Sequence, residues 1–282
     1  MASNLQDIKR RIKSVESTRQ ITKAMELVAS SKLRKAREKA LVSQPYFEIM
    51  YETMMKIAES NRDFSSVYTK SAKGSSGKLW VVIAGDRGLA AGYNANVFKM
   101  AAGMIDKEND RVVSVGKKSM DYFTKRGYNV VYSCISTEDH LSDTDYQILE
   151  RKVRHQFSRG YVREVHVIYT NFISNMIFEP AALKILPISV SGGSRVGTAV
   201  EYDPSPEAVF DSIVRMYVGG MLRGAIVESY ASELGARRNA MESATDNADE
   251  IIRNLDLDYN RARQGAITQE ITEIVAGASA AE

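Results

Sequence analysis

Apolar and polar positions along this chain follow two different patterns, and the switches between them mark out three stretches. In the first, apolar or small residues recur at steps of four and three: Ile8, Ile12 and Val15, then Ala29, Leu33, Ala36 and Ala40, and on to Phe47, Met50, Met54 and Ile57. This spacing predicts a long helix with a coiled-coil seam. The seam lapses between Val15 and Ala29, where the same steps land on Arg19, Thr22 and Glu26. There Ile21, Met25 and Val28 make a shifted apolar stripe. Such a shift changes the supercoil locally or turns an apolar face toward another partner; plain imperfection of the repeat is the alternative. Ser3 and Gln6 have the spacing of a capping box at the helix start.

The middle stretch alternates short apolar runs with helical patterns. Residues 79–84, 112–115, 129–135 and 165–169 read as buried strands, and a last strand covers 177–188, around Pro180 and Pro187. Helices are expected near 92–107, 117–126 and 143–159. Strand-helix alternation of this kind predicts a parallel sheet with right-handed crossovers. Before it, the run from Ser71 to Lys78 is small, polar and glycine-rich, a linker or loop.

The third stretch is helical again. Ser205 is the expected N-cap, Pro206 sits at the first helical position, and Glu207 faces the positive end of the helix dipole. Its expected seam runs through Leu234, Met241, Ala244, Ala248, Ile251, Leu255 and Ala262. Gly219, Gly220 and Gly235 lower helix propensity, and a kink near 219–224 is possible. The resulting division is 1–58 and 205–282 for the two helices, 59–77 for a linker, and 78–204 for a central α/β domain. At 1.5 Å per residue the two helices reach roughly 80 Å and 110 Å, against roughly 40–50 Å for a compact globule. A two-helix rod beside a globular body follows. A whole domain separates the helices in sequence, so antiparallel pairing is the natural arrangement.

Charge adds to this picture. Residues 1–40 hold 11 Lys/Arg and 4 Asp/Glu, a net of +7, whereas residues 201–282 hold 7 and 15, a net of −8. Opposite charge favours pairing of the two helices, by a small and salt-sensitive amount. The overall net charge of +3 does not by itself imply nucleic-acid binding. No apolar run approaches the ~20 residues of a membrane span. The N-terminus has the character of neither a signal nor a transit peptide. The single cysteine, Cys134, excludes an intramolecular disulfide and fits a reducing compartment. A cytoplasmic bacterial protein is the plain expectation.

Candidate chemistry is sparse. Gly85, Gly88 and Gly92 lie between a strand and a helix, which invites a dinucleotide-binding reading, but they do not have the G-x-G-x-x-G spacing and no P-loop Gly-Lys-Ser/Thr follows. A tight turn that needs glycine explains them better. His140, His155 and His166 show no ligand spacing, and Cys134 has no cysteine partner, so no metal is expected. His166 alternates with apolar strand residues and reads as structural. The basic run from Lys32 to Lys39 reads as a solvated helix face, because seam positions interleave it and no stacking aromatics do. No catalytic constellation stands out, and no cofactor is expected.

Two terminal motifs are more specific. Ser14-Val15 with Gln20-Ile21-Thr22-Lys23-Ala24-Met25-Glu26-Leu27-Val28-Ala29-Ser30-Ser31-Lys32 resembles the N-terminal signature of the gamma subunits of F-type ATP synthases. Tyr259-Asn260-Arg261-Ala262-Arg263-Gln264-Gly265-Ala266-Ile267-Thr268-Gln269-Glu270-Ile271 resembles their C-terminal signature. Glu228-Ser229, Ala231-Ser232-Glu233 and Asn239-Ala240-Met241 also resemble that family. Gly85-Asp86-Arg87-Gly88-Leu89 resembles its central marker, although Ala90-Ala91 replace the usual Cys/Ser-Gly pair. The resemblance spans essentially the whole chain.

The fold class is then α/β: a long antiparallel two-helix coiled coil formed by the N- and C-terminal helices, plus a central Rossmann-like domain with a mainly parallel sheet. The resemblance implies a non-catalytic rotor shaft. It would turn inside a ring of three alpha and three beta subunits and bind epsilon and the membrane c-ring through its globular domain. It would couple ion-driven rotation to ATP synthesis or hydrolysis at the cytoplasmic face of the bacterial inner membrane. By the same resemblance, Lys23, Met25, Arg261, Arg263, Gln264 and Gln269 are expected contacts to beta. The alternatives are a nucleotide-binding enzyme on the central domain and a static coiled-coil scaffold. Tight nucleotide binding would favour the first, a solitary homodimer the second.

Overall fold

The computed structural model describes residues 2–60, 66–71, 77–135, 141–188 and 202–279, with the side chains of 2–4, 39–48, 50–51, 58–60 and 277–279 outside the description. The elements are α1 (Ala2–Ser60), β1 (Lys78–Ile83), α2 (Tyr93–Met104), β2 (Arg111–Val115), α3 (Lys117–Lys125), β3 (Val130–Cys134), α4 (Asp143–Ser158), β4 (Glu164–Phe172), β5 (Phe178–Leu186) and α5 (Pro206–Ser279). They form two compact units. One is Met1–Ser30 with Arg237–Glu282; the other is Ser31–Ala236. Each expected strand and helix of the middle stretch is present at nearly its expected place. The expected Ser71–Lys78 linker falls mostly outside the described residues, as does His140.

The larger unit is built on a five-stranded sheet in the order β3-β2-β1-β4-β5. The pairs β3-β2, β2-β1 and β1-β4 are parallel, and β5 closes one edge antiparallel to β4. Side chains of β1 alternate between two buried faces, as a sheet covered on both sides requires. Trp80 and Val82 pack with Val97, Ala101, Ile105, Val112 and Phe123 under α2 and α3. Leu79, Val81 and Ile83 face the opposite way, onto a larger cluster that includes Leu149 and Val153 of α4, Met54 and Ile57 of α1, and Phe210, Val214 and Leu222 of α5. The sheet is therefore sandwiched between two helical layers, and the inner segments of both long helices supply part of one layer.

α5 starts where its sequence says it should. The Ser205 hydroxyl accepts the Ala208 N–H at 3.3 Å, ahead of Pro206 and Glu207. α1 begins at Ala2, one residue before Ser3, whose side chain lies outside the described residues. His166 is structural, as expected: it stacks on Trp80 at 4.6 Å and shares a hydrogen bond of 3.0 Å with Glu164. Cys134 is buried, and that burial pushes its thiol up to about 11.

The smaller unit is a pair of helix segments. Thr22 meets Thr245 at 2.8 Å, Arg19 meets Asp249 at 3.1 Å, and the Lys9 ammonium lies 5.3 Å from the centre of the Tyr259 ring. Moving toward the N-terminus of α1 moves toward the C-terminus of α5, so the pair is antiparallel. Its seam differs from the expected one. On α1 the positions turned inward are Ile8, Ile12, Val15, Arg19, Thr22, Glu26 and Ala29, an unbroken four-three series. The apparent lapse is thus filled by polar residues in the seam itself. Ile21 and Val28 of the shifted stripe are 58% and 55% exposed. On α5 the inward series is Met241, Thr245, Ala248, Ile252, Leu255, Tyr259 and Ala262. Ile251, expected in the seam, is instead 48% exposed, and Ile252 takes the inward place. Ile251 and Ile252 both fit four-three spacing after Ala248, and pairing with α1 selects Ile252.

Candidate functional site

Within the helix pair, the six residues expected to touch a partner fall into two patches rather than one. Lys23 and Met25 lie on α1 near the Thr22–Thr245 level. Arg261, Arg263, Gln264 and Gln269 lie on α5 beyond Tyr259. The separation between Thr245 and Gln264 along α5 is roughly 30 Å at 1.5 Å per residue. In the first patch, the Lys23 ammonium donates to both carboxylate oxygens of Glu26 at 3.1 Å, one turn away, and Met25 is half-buried beside it. In the second, Arg261, Arg263 and Gln264 are exposed, and the Gln269 amide donates to Glu273 at 2.7 Å. Among the described residues, neither patch brings an acid, a base and a nucleophile together.

Both patches sit beside apolar side chains left in water. Ile21, Leu27 and Val28 are more than half exposed around Met25, and Ile267, Ile271, Ile274 and Val275 are 48–71% exposed around Gln269. Leu27, Ile271, Ile274 and Val275 were not singled out from the sequence as exposed. Their signal was present: they are apolar at steps that miss the seam. A helix pair that leaves this much apolar surface in water has surface suited to burial against another molecule.

In the larger unit, strand order reverses between β1 and β4, and the crevice outside the C-terminal end of β1 is where a parallel α/β sheet would hold a nucleotide. A cavity of about 240 Å³ lies there, lined by Asp86, Gly116, Tyr93, Arg223 and Glu233 among others. The chain's own side chains already use its donors. The Gly85 N–H donates to Asn94 Oδ1 at 2.9 Å, and the Lys117 N–H at the start of α3 donates to Asp86 Oδ1 at 2.7 Å. A Cβ at position 85 would lie 2.7 Å from the Glu233 carboxyl group, so Gly85 is needed for close approach of α5. Gly116, at φ +91°, brings its backbone against the Ala84 carbonyl, a position closed to a side chain. The phosphate-cradling backbone of a dinucleotide site is therefore occupied by two carboxylates and an amide. The glycine-rich turn serves packing of α5, in line with its tight-turn reading.

The Tyr93 hydroxyl donates to the Ser229 carbonyl at 3.0 Å, and the Ser229 hydroxyl accepts the Thr170 N–H at 3.0 Å, which ties α5 to β4 and α2. Among the described residues no group of His, Cys, Asp and Glu could hold a metal ion, and no helix is long and apolar enough to cross a membrane.

Comparison with known proteins agrees with this architecture. A family model described as ATP synthase matches residues 4–281. The ATP synthase gamma chain of Ruminococcus albus is 48% identical over 278 residues, covering 96% of each chain. The ATP synthase gamma chain of Acetobacterium woodii, described as sodium ion specific, is 41% identical and covers 99% of each chain. Among solved structures, the rotor of the Euglena gracilis mitochondrial ATP synthase superposes with a TM-score of 0.69 at 15% identity, covering 95% of this chain and 100% of that one, a likeness of fold. With that identity over nearly its full length, this chain belongs to the ATP synthase gamma chain family.

Proposed function

We propose that this chain is the central rotor shaft of an F-type ATP synthase. It couples ion-driven rotation of the membrane c-ring to ATP synthesis or hydrolysis in an alpha3-beta3 ring, and makes no bond itself. The observation that carries this reading is the antiparallel helix pair of the smaller unit, with an unbroken inward seam and apolar side chains left outward. Family membership supports the same reading.

A single asymmetric shaft inside a threefold ring touches each catalytic subunit with a different face. It biases three chemically identical sites toward different states through the difference in those contacts. Lys23, Met25, Arg261, Arg263, Gln264 and Gln269 are the proposed contacts to beta, with the guanidinium groups paired to beta carboxylates. The larger unit is the proposed foot, bound to epsilon and the c-ring. The working division is 1–58 and 205–282 for the coiled coil, 59–77 for the linker, and 78–204 for the central domain. The complex places the chain at the cytoplasmic face of the bacterial inner membrane, as a peripheral subunit.

The test is purification of the native complex. Co-purification with six larger nucleotide-binding chains supports the rotor, and a solitary homodimer would remove it. In the purified complex, Arg263→Ala with Gln264→Ala should lower ATP synthesis while the melting temperature of the chain stays near that of the parent. Unchanged synthesis would take both residues off the contact surface.

A further inference from the structure

A second feature of the larger unit adjoins the crevice and shares Asp143, Tyr146 and Arg223 with it. α4 and α5 flank an open groove of about 710 Å³. One wall is a single face of α4, presenting Asp143, Tyr146, Glu150, Arg151 and Arg154 at helical spacing; the other presents Arg215, Gly219 and Arg223 of α5. Gly219 forms part of the floor: a Cβ there would lie 3.6 Å from the Glu150 side chain, so the two helices approach closely at that level.

The groove holds four guanidinium groups and two carboxylates. Arg154 donates to Glu150 at 2.6 Å and to the Tyr68 hydroxyl at 3.3 Å. Arg223 pairs with Asp143 and covers the Tyr146 ring at 4.3 Å. That consumes both carboxylates. Arg151 and Arg215, on opposite walls, make no hydrogen bond or ion pair with the described residues.

We infer that this groove binds a phosphate-bearing anion, held between Arg151 and Arg215. Charge decides the sign of the ligand, because two positive groups are left uncompensated. Geometry decides its class. A carboxylate is planar and satisfies one guanidinium fork along its edge. A tetrahedral phosphoryl group presents oxygens on several sides and can serve forks from two walls at once. The volume leaves room for more than one phosphoryl group. Arg223 already lies over the ring of Tyr146, the aromatic side chain of the groove, and takes that face from a base. The ligand is thus read by its phosphate chain alone. Reading by phosphate alone distinguishes the groove from a base-reading nucleotide site, although the groove adjoins the crevice, and it does not rest on the rotor reading.

The experiment is isothermal titration of the full-length chain with sodium tripolyphosphate, ATP and GTP, and separately with vesicles of phosphatidylglycerol and with a twelve-residue glutamate peptide. Tripolyphosphate, ATP and GTP should bind with affinities within about threefold of one another and weaken with added salt. Arg151→Gln with Arg215→Gln should weaken binding at least about tenfold, whereas Arg159→Gln, just past the end of α4, should leave it unchanged. Both positions are exposed, so the double variant should keep the parent melting temperature, and a lowered one would be met by repeating the titration on each single variant. Binding by phosphatidylglycerol vesicles alone would assign the same chemistry to a lipid headgroup rather than a free phosphate. Preference for the glutamate peptide, strong preference for one base, or binding that survives both arginine replacements would each overturn the inference, as would no binding of any phosphate at millimolar concentration.

Discussion

The hydroxyl oxygens of Thr22 and Thr245 lie 2.8 Å apart inside the seam of the helix pair, each side chain only 8% exposed. Each also has a backbone carbonyl within reach, Arg19 at 3.0 Å for Thr22 and Met241 at 2.8 Å for Thr245. One hydroxyl donates to the other, which in turn donates to its own helix. Beside this layer, Arg19 pairs with Asp249. A polar layer inside the seam fixes register, because sliding either helix would separate these partners.

Replacing either threonine by valine should therefore cost about 0.5–1.5 kcal/mol, since the remaining hydroxyl keeps its carbonyl. The double replacement should cost less than the sum of the two single ones. A double-mutant cycle by urea unfolding checks this; strict additivity would mean that the pair contributes nothing as a pair.

Glycine replacements should separate sharply by position. Gly116→Ala places a side chain at φ +91° against the Ala84 carbonyl and should destabilise by at least about 2 kcal/mol. Gly235→Ala brings a Cβ within 2.5 Å of the Phe178 ring and should cost about 1–3 kcal/mol. Gly265 has nothing within 4 Å, and Gly265→Ala should stabilise the helix by up to about 1 kcal/mol. Equilibrium urea unfolding of the three variants would show whether this order holds.

Two glutamates should give opposite pH signatures. Burial pushes the Glu228 carboxyl above its ordinary value of 4.5, although it accepts the Phe172 N–H at 3.2 Å. The folded state holds that proton more tightly than the unfolded state. Its contribution to stability is full below 4.5 and is lost as pH rises through the folded value. Glu228→Gln keeps the acceptor oxygen and should raise the melting temperature at neutral pH but not at pH near 4. Glu164 is held below 4.5, chiefly by its hydrogen bond with His166 and also by the charges of Lys184 and Lys78. Its contribution is present above 4.5 and fades as pH falls through the depressed value. Glu164→Gln should lower the melting temperature at neutral pH, with the gap closing in acid. Thermal melts between pH 3 and 8 decide both signs.

Met25→Lys tests the contact patch on α1. Met25 is half-buried beside the Lys23–Glu26 pair, with Ile21 and Val28 exposed nearby. A new ammonium group there should impair coupling in the assembled enzyme, by pairing with beta carboxylates, and leave assembly largely intact. Ion pumping measured against ATP hydrolysis in vesicles reads this directly, and a parental ratio would count against it.

Continuous apolar runs and the 3.6 period were enough to place the strands and helices of the sheet and both long helices, because burial on two faces leaves an apolar run and burial along one stripe leaves a helical repeat. The seam was harder to read. Thr22, Arg19 and Thr245 are inward but polar, and a search for apolar steps passed over them in favour of Ile21 and Ile251, which the pairing leaves outside. Four-three spacing reaches Arg19 and Thr22 on α1, but on α5 it fits Ala244 and Ile251 as well as Thr245 and Ile252, so only the pairing decides. The plugging of the crevice by Glu233 was not legible at all, since nothing local links residue 85 to residue 233. The α4–α5 groove is hidden for the same reason: its two unpaired arginines are far apart in sequence and look like ordinary solvated charges.

A rotor shaft must turn. The chain, assembled with alpha and beta subunits fixed to a surface and carrying a bead on its larger unit, should rotate in one direction when ATP is supplied, with one step for each catalytic site. Sustained ATP hydrolysis by that assembly with the bead stationary would contradict it.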